Sequence, residues 1–237
     1  MTVNDPRPLA DVSVDAVVFD LDVTLVDTAP DIAHAVNRLL ATHGIVPQTV
    51  EFVAKFIGEG SFGLIDKLYK GLGLALDEQR VSEDVETYLR IYKAHPVEKA
   101  TLYADAISAI PALHAAGIKL GVCTNKAQYL AEAVLAHFDL ARYIGAVVGG
   151  DMLAQRKPHP RHLLATLEQM DVAPEHALYI GDTPIDAECA RRADVRCLIV
   201  NWGTGRDVPV SDDMRLDSFA DLVTKCAALN AQRLPGA

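Results

Sequence analysis

A small set of residues has types and spacings that could do chemistry together. Asp20 and Asp22 follow the apolar run Ala16-Val17-Val18-Phe19, with Thr24 just beyond. Thr124, Asn125 and Lys126 follow a second apolar run, and Gly181 and Asp182 follow a third, with Asp186 about one helical turn on. Lys157 stands in Arg156-Lys157-Pro158-His159-Pro160, just ahead of a helical pattern. Open α/β sheets gather ligands at the carboxyl ends of their strands, so these residues are expected to converge on one edge.

The chemistry of such a gathering is restricted. Clustered carboxylates raise one another's pKa unless a cation lies among them. Magnesium takes oxygen ligands and commonly shares its shell with a substrate phosphate, which makes Asp20 and Asp182 candidate ligands. A carboxylate can also be a covalent nucleophile, here Asp20. Lys157 and the Thr124 hydroxyl can balance charge on phosphoryl oxygens. Asp22 can protonate a leaving alkoxide and then deprotonate the water that opens the intermediate.

The elements that must position these groups come next. Strand-like runs at 15–20, 119–124, 143–148, 177–181 and 196–200 are apolar between their end residues, as strands buried on both faces are. Helical patterns at 105–116, 127–138, 161–169, 184–192 and 218–228 alternate with them, Pro111 lying inside the first. The fold expected is α/β: a doubly wound parallel sheet with helices on both faces, Rossmann-like. Residues 28–99 break the alternation with helical patterns alone, at 31–43, 49–56, 61–70 and 77–95, and no strand signal. The expected division is a flexible leader at 1–13, a catalytic core of 14–27 and 100–237, and an inserted α-helical block at 28–99. The turn Gly58-Glu59-Gly60 with Ser61 is a candidate for a loop of that block reaching the substrate.

Composition narrows the function classes. The formal net charge of −10 opposes a nucleic-acid partner and opposes long-range attraction of anions, so a phosphate site must supply its own positive charge. No apolar run has the roughly 20 residues a membrane span needs, and the first residues lack a signal-peptide core, so a cytoplasmic location is expected. Cys123, Cys189, Cys197 and Cys226 show no metal spacing and are expected as buried thiols. His159, His162 and His176 are expected at the surface or as caps, and Trp202 as packing near the last strand.

With these residues in view, the sequence resembles the haloacid dehalogenase superfamily. Asp20-Leu21-Asp22-Val23-Thr24 is similar to its first signature, Asp-x-Asp-x-Thr/Val; Thr124-Asn125, Lys157-Pro158 and Gly181-Asp182 with Asp186 follow in the family's order. The resemblance implies Asp20 as nucleophile and Asp22 as general acid/base. It implies magnesium held by Asp20, Asp182 and the Asp22 main-chain carbonyl, with Asp186 ligating or just behind. It assigns Thr124, Asn125 and Lys157 to the phosphoryl group and makes the helical block a mobile cap. Asp27-Thr28-Ala29-Pro30-Asp31, Thr124-Asn125-Lys126, Gly149-Gly150-Asp151, Lys157-Pro158-His159-Pro160 and Asn201-Trp202-Gly203 resemble the phosphoglycolate phosphatases in particular. That subgroup implies 2-phosphoglycolate as the small phosphorylated substrate, with Gly58 and Ser61 as candidates for its carboxylate. Sugar phosphatases, pyrophosphatases and phosphomutases share the scaffold and stand as alternatives. Two departures carry expectations of their own. Val23 replaces the usual Gly and, being β-branched, is expected to keep a negative φ; Arg192-Ala193-Asp194 lacks a customary Gly and is expected to alter a turn.

Overall fold

The run Ala16–Phe19 is apolar and buried at every position, as a strand in the middle of a sheet covered on both faces must be. The computed structural model describes residues 13–231, so the leader expected at 1–13 lies outside the described residues except for Ser13. In chain order the strands are β1 (Ala16–Phe19), β2 (Val26–Asp27), β3 (Thr101–Leu102), β4 (Lys119–Cys123), β5 (Ile144–Val148), β6 (Ala177–Gly181), β7 (Arg196–Val200) and β8 (Arg215–Leu216). Six of them form one parallel sheet in the order β5-β4-β1-β6-β7-β8. Phe19 pairs with Val122 on one side and Ile180 on the other, so the residues just beyond β1, β4 and β6 emerge together.

The helices are α1 (Ala29–Thr42), α2 (Val50–Ala54), α3 (Gly60–Gly71), α4 (Glu78–Ala94), α5 (Ala106–Ala115), α6 (Gln128–His137), α7 (Pro160–Gln169), α8 (Pro184–Ala193) and α9 (Phe219–Ala231), and α5 to α9 cover the two faces of the sheet. Val17 and Phe19 face a core with Ile110, Val134 and Leu222 from α5, α6 and α9. Ala16 and Val18 face a second core with Leu163, Leu167 and Ala190 from α7 and α8. Alternate residues of one strand thus feed two cores, which is the doubly wound arrangement expected. Pro111 lies inside α5 without delaying it, since the helix already begins at Ala106. The four cysteines are free and buried, and Trp202 packs between Tyr103 and Phe219.

Helices α1 to α4 bury a core of their own, built on Ile32, Val36, Leu39, Ile65, Leu68, Tyr88 and Tyr92. The chain enters this block through β2 and returns through β3, and the two short strands pair antiparallel, Asp27 opposite Thr101. Asp31, buried in the first turn of α1, accepts the backbone N–H groups of Glu98 (3.1 Å), Lys99 (2.8 Å) and Ala100 (2.9 Å). Entry and return are therefore tied to each other by this carboxylate as well as by the strand pair. The two-residue strands β2, β3 and β8 carry no apolar run and were not expected.

The loop after β1 corrects an expectation. Val23 has φ +64°, not negative. Its N–H donates to Val26 O (2.8 Å), and Leu25 and Val26 both donate to Leu21 O, a reversal tight enough to need the left-handed region. Its side chain is buried against Gly203, itself at φ +54°. Left-handed strain of roughly 1–2 kcal/mol is offset by burial of the valine, worth about 1.5–3 kcal/mol. The turn after α8 forms without glycine because Asp194 takes φ +58°, a conformation aspartate tolerates.

A Cβ added at Gly203 would stand 2.3 Å from Val23 Cγ1 and 3.4 Å from Tyr103 Oη. Gly203→Ala is expected to lower stability by about 2–4 kcal/mol, overpacking added to left-handed strain. Combining it with Val23→Gly should recover part of that loss, a coupling above about 1 kcal/mol in urea denaturation. Strictly additive losses would show that this contact does not set the turn.

Candidate active site

The carboxyl edge of the sheet collects the expected residues. Asp20 leaves β1, its N–H bonded to Ile180 O (2.8 Å), and its side chain is buried. Thr124, Asn125 and Lys126 leave β4 and Asp182 leaves β6, all four buried. Thr183 caps α8: its hydroxyl and the Asp186 carboxylate exchange hydrogen bonds with each other's backbone N–H, which fixes Asp186 in the first turn. Lys157 comes from the loop before α7 and is 3% exposed.

The centre is the Lys157 ammonium. It lies 2.8 Å from Asp20 Oδ1, 2.8 Å from Asp186 Oδ1 and 2.9 Å from Tyr179 Oη. Burial would pull its pKa down, but Asp186 and Asp20 overcome this and hold it well above the usual lysine value. Its backbone is fixed separately. Asn125 Oδ1 accepts the Lys157 N–H (3.0 Å), while Asn125 Nδ2 donates to Lys157 O (3.1 Å) and to Gly58 O (2.8 Å). The amide expected to face the phosphoryl group thus clamps the Lys157 loop to the helical block. His162 joins the clamp, its Nδ1 accepting the Lys157 N–H (3.3 Å) and its Nε2 donating to Gly149 O (3.0 Å). This corrects the expectation of a surface or capping His162: it is fully buried, and burial, with Lys157 beside it, lowers its pKa to about 4, so it is neutral. His159 does cap α7, its Nδ1 accepting Arg161 N–H, and His176, half-buried, meets Ser13.

The carboxylates are not equivalent. Burial raises Asp182 well above the usual range, and Asp186 and Asp20 raise it further. Asp20 is pushed up to about 6, chiefly by burial, against the opposing pull of Lys157. Burial would raise Asp186 too, but Lys157, Thr183 and Tyr179 outweigh it and hold it below the ordinary value. Asp182 is steadied by the hydroxyls of Thr24 (2.8 Å, to Oδ1) and Thr204 (to Oδ2). Ligand oxygens of Asp20, Asp182 and Asp186 lie within 4.8 Å of one another. Three buried carboxylates with one contacting ammonium leave a deficit of positive charge, and an all-oxygen donor set suits a hard divalent cation. The residues fit such an ion.

Asp22 stands apart from that cluster, on the cavity side. Its Oδ1 accepts from Thr28 Oγ1 (2.5 Å) and from Lys126 Nζ (2.9 Å). Lys126 also donates to Tyr92 Oη (2.8 Å) on α4. Thr124, Gly58 and Ser61 line the same cavity as Asp20 and Asp22. Gly60, at φ +78°, allows this loop to approach: a Cβ there would stand 2.7 Å from Arg156 Nη1 and 3.0 Å from Asn125 O. Thr28, Tyr92, Tyr179, Thr183 and Thr204 were not anticipated. Thr28 lies in a motif quoted above, whereas Tyr92 and Tyr179 look like ordinary apolar positions of a helix and a strand.

Among the described residues no helix is long and apolar enough to cross a membrane. A family model described as haloacid dehalogenase-like hydrolase matches residues 17–200. A phosphoglycolate phosphatase of Rhodospirillum rubrum is 37% identical over 213 residues, covering 88% of each chain. One from Agrobacterium fabrum is 34% identical, covering 91% of this chain and 92% of its own. The crystal structure of a predicted phosphoglycolate phosphatase from Haemophilus somnus superimposes with a TM-score of 0.79 at 25% identity, over 90% of this chain and 98% of that one. CbbY from Rhodobacter sphaeroides in complex with phosphate shares the fold, with a TM-score of 0.75 at 24% identity over 88% and 96% of the two chains. Match length, identity and a site assembled from the same ordered motifs agree: the chain belongs to the haloacid dehalogenase-like hydrolases.

Proposed function

We propose that this chain is a magnesium-dependent phosphatase that hydrolyses 2-phosphoglycolate through an aspartyl phosphate on Asp20. The observation that carries the reading is Lys157 bridging Asp20 and Asp186 beside Asp182, with Asp22 across the cavity. The names of the relatives from Rhodospirillum rubrum and Agrobacterium fabrum support the substrate, and four buried free thiols suit a reducing cytoplasm.

An Asp20 oxygen attacks phosphorus as the bridging P–O bond breaks, and Asp22 gives its proton to the departing alkoxide. Asp22 then takes a proton from water, whose oxygen attacks phosphorus and breaks the bond to Asp20, releasing orthophosphate. Lys157 and the Thr124 hydroxyl hold the phosphoryl oxygens through both steps. Asp20, Asp182 and the Asp22 main-chain carbonyl would hold magnesium, and Asp186, occupied by Lys157, Tyr179 and Thr183, supports them from behind. Bound there, the ion supplies positive charge to the carboxylates and to the phosphoryl group. Residues 28–99 act as a cap excluding water, hinged at the paired β2 and β3.

Asp20→Asn should keep the fold and lower kcat by at least a thousandfold, about 4 kcal/mol. A near-normal rate on 2-phosphoglycolate would refute the mechanism. A tenfold higher kcat/KM for a sugar phosphate, pyrophosphate or nucleotide would refute the substrate alone.

Because Asp20 sits at about 6 in the fold against an ordinary 3.8, the metal-free fold is favoured by protons and loses stability as pH rises through 6. Magnesium should therefore raise Tm at pH 7.5, by several degrees at about 100 times its Kd, and by less at pH 5, where protons compete for the same oxygens. Asp182→Asn should raise the metal-free Tm at pH 7.5 and lose the response to magnesium. An unchanged magnesium shift in Asp182→Asn would remove that residue from the metal site.

Hydrogen exchange should slow in the 58–61 loop when magnesium and a phosphate mimic are bound, and equal exchange in both states would argue against cap closure.

A further inference from the structure

The site buries two lysines, and the reaction above employs one. Lys126 lies over Asp22 with a side chain only 3% exposed. It is the only cation among the described residues that line the cavity above Asp20. Around it the cavity is apolar, with Ile32, Leu64, Tyr88 and Leu130 on its walls. An ammonium has three N–H donors. Two meet Asp22 Oδ1 and Tyr92 Oη, and the ring of Tyr92 lies 4.5 Å from Nζ, so the stem is held from the α4 side as well as from β4.

We propose that Lys126 is the specificity-determining residue for the leaving group, its ammonium pairing with a carboxylate carried one methylene from the ester oxygen. The inference rests on the phosphatase reading and deepens it. The leaving oxygen must come within hydrogen-bonding distance of Asp22 to take its proton. A carboxylate on the next carbon then lies beside the group that Asp22 itself contacts, which is Lys126 Nζ at 2.9 Å. Apolar walls cannot satisfy a buried carboxylate, and the net charge of the chain, −10, repels one at long range. The Gly58–Ser61 turn faces the same cavity but carries no charge of the required sign, so Lys126 takes precedence over it. An alcohol portion without the carboxylate leaves the third ammonium donor without an anionic partner, and discrimination follows from that loss.

Two esters separate the roles. 2-Phosphoglycolate and 2-hydroxyethyl phosphate are similar in size, and both leave as alkoxides that need a proton, but only the first carries the charge. Wild type should favour 2-phosphoglycolate. Lys126→Met should shrink the ratio of the two kcat/KM values by roughly 30-fold or more, about 2 kcal/mol, mainly through KM, whatever loss both esters share. Lys126→Arg should restore most of the ratio. Lys126→Gln, which keeps donors for Asp22 and Tyr92, carries the test if Lys126→Met does not fold. A ratio held within threefold would overturn the inference and make Lys126 a positioning residue for Asp22. Turnover of neither ester by wild type would instead sink the function proposed above. Binding then decides the inference by itself. With magnesium present, wild type must bind 3-phosphonopropionate, in which a methylene stands for the ester oxygen, more tightly than propylphosphonate by calorimetry, and Lys126→Met must lose the difference. Equal affinities in wild type would overturn it.

Discussion

Lys157 sits where three buried carboxylates would otherwise face one another across less than 5 Å, and much of the site exists to keep its ammonium there. A buried cation is costly to desolvate, and breaking its pairing would leave uncompensated charge. The chain therefore holds this residue twice. Asp186 and Asp20 hold the charged end, while Asn125 and His162 hold the backbone. Asp186 has a further task, since the oxygen not used by Lys157 accepts from the Thr183 hydroxyl and backbone N–H and so starts α8. A helix start and the pairing of a buried ammonium share one carboxylate, which couples the position of Lys157 to the packing of α8 against the sheet.

Charge sorting follows from that arrangement. Burial acts on all three carboxylates, but only Asp186 has donors enough to remain below its ordinary pKa. Asp20 and Asp182 are left raised, poised to accept positive charge from outside the chain. These two carboxylates are thus kept in a state that suits an incoming cation, although the chain as a whole is anionic.

The parallel sheet and the edge where the site lies were legible in the sequence because continuous apolar runs ending in Asp20, Thr124 and Asp182 combine burial with position. The helical block was legible from its periodicity. What escaped depends on contacts across the fold. Val23 takes a left-handed φ because a tight turn and the open space at Gly203 coincide there, neither visible locally. His162 is buried because its ring happens to span Lys157 and Gly149. Tyr179 and Tyr92 look like core aromatics, and their hydroxyls acquire meaning only when a lysine is brought to each. The two-residue strands β2, β3 and β8 are too short to leave a periodic trace.

The antiparallel pairing of Asp27 with Thr101 has a consequence for how such proteins diversify. Some seventy residues leave and re-enter the core at adjacent points, so the core sees them as one closed hairpin whatever they contain. A segment with touching ends and an apolar core of its own can be lengthened, shortened or exchanged at little cost to what lies beneath. Buried carboxylates on the sheet and cavity-lining groups on the insert can therefore change at different rates, and one can be exchanged while the other is inherited intact.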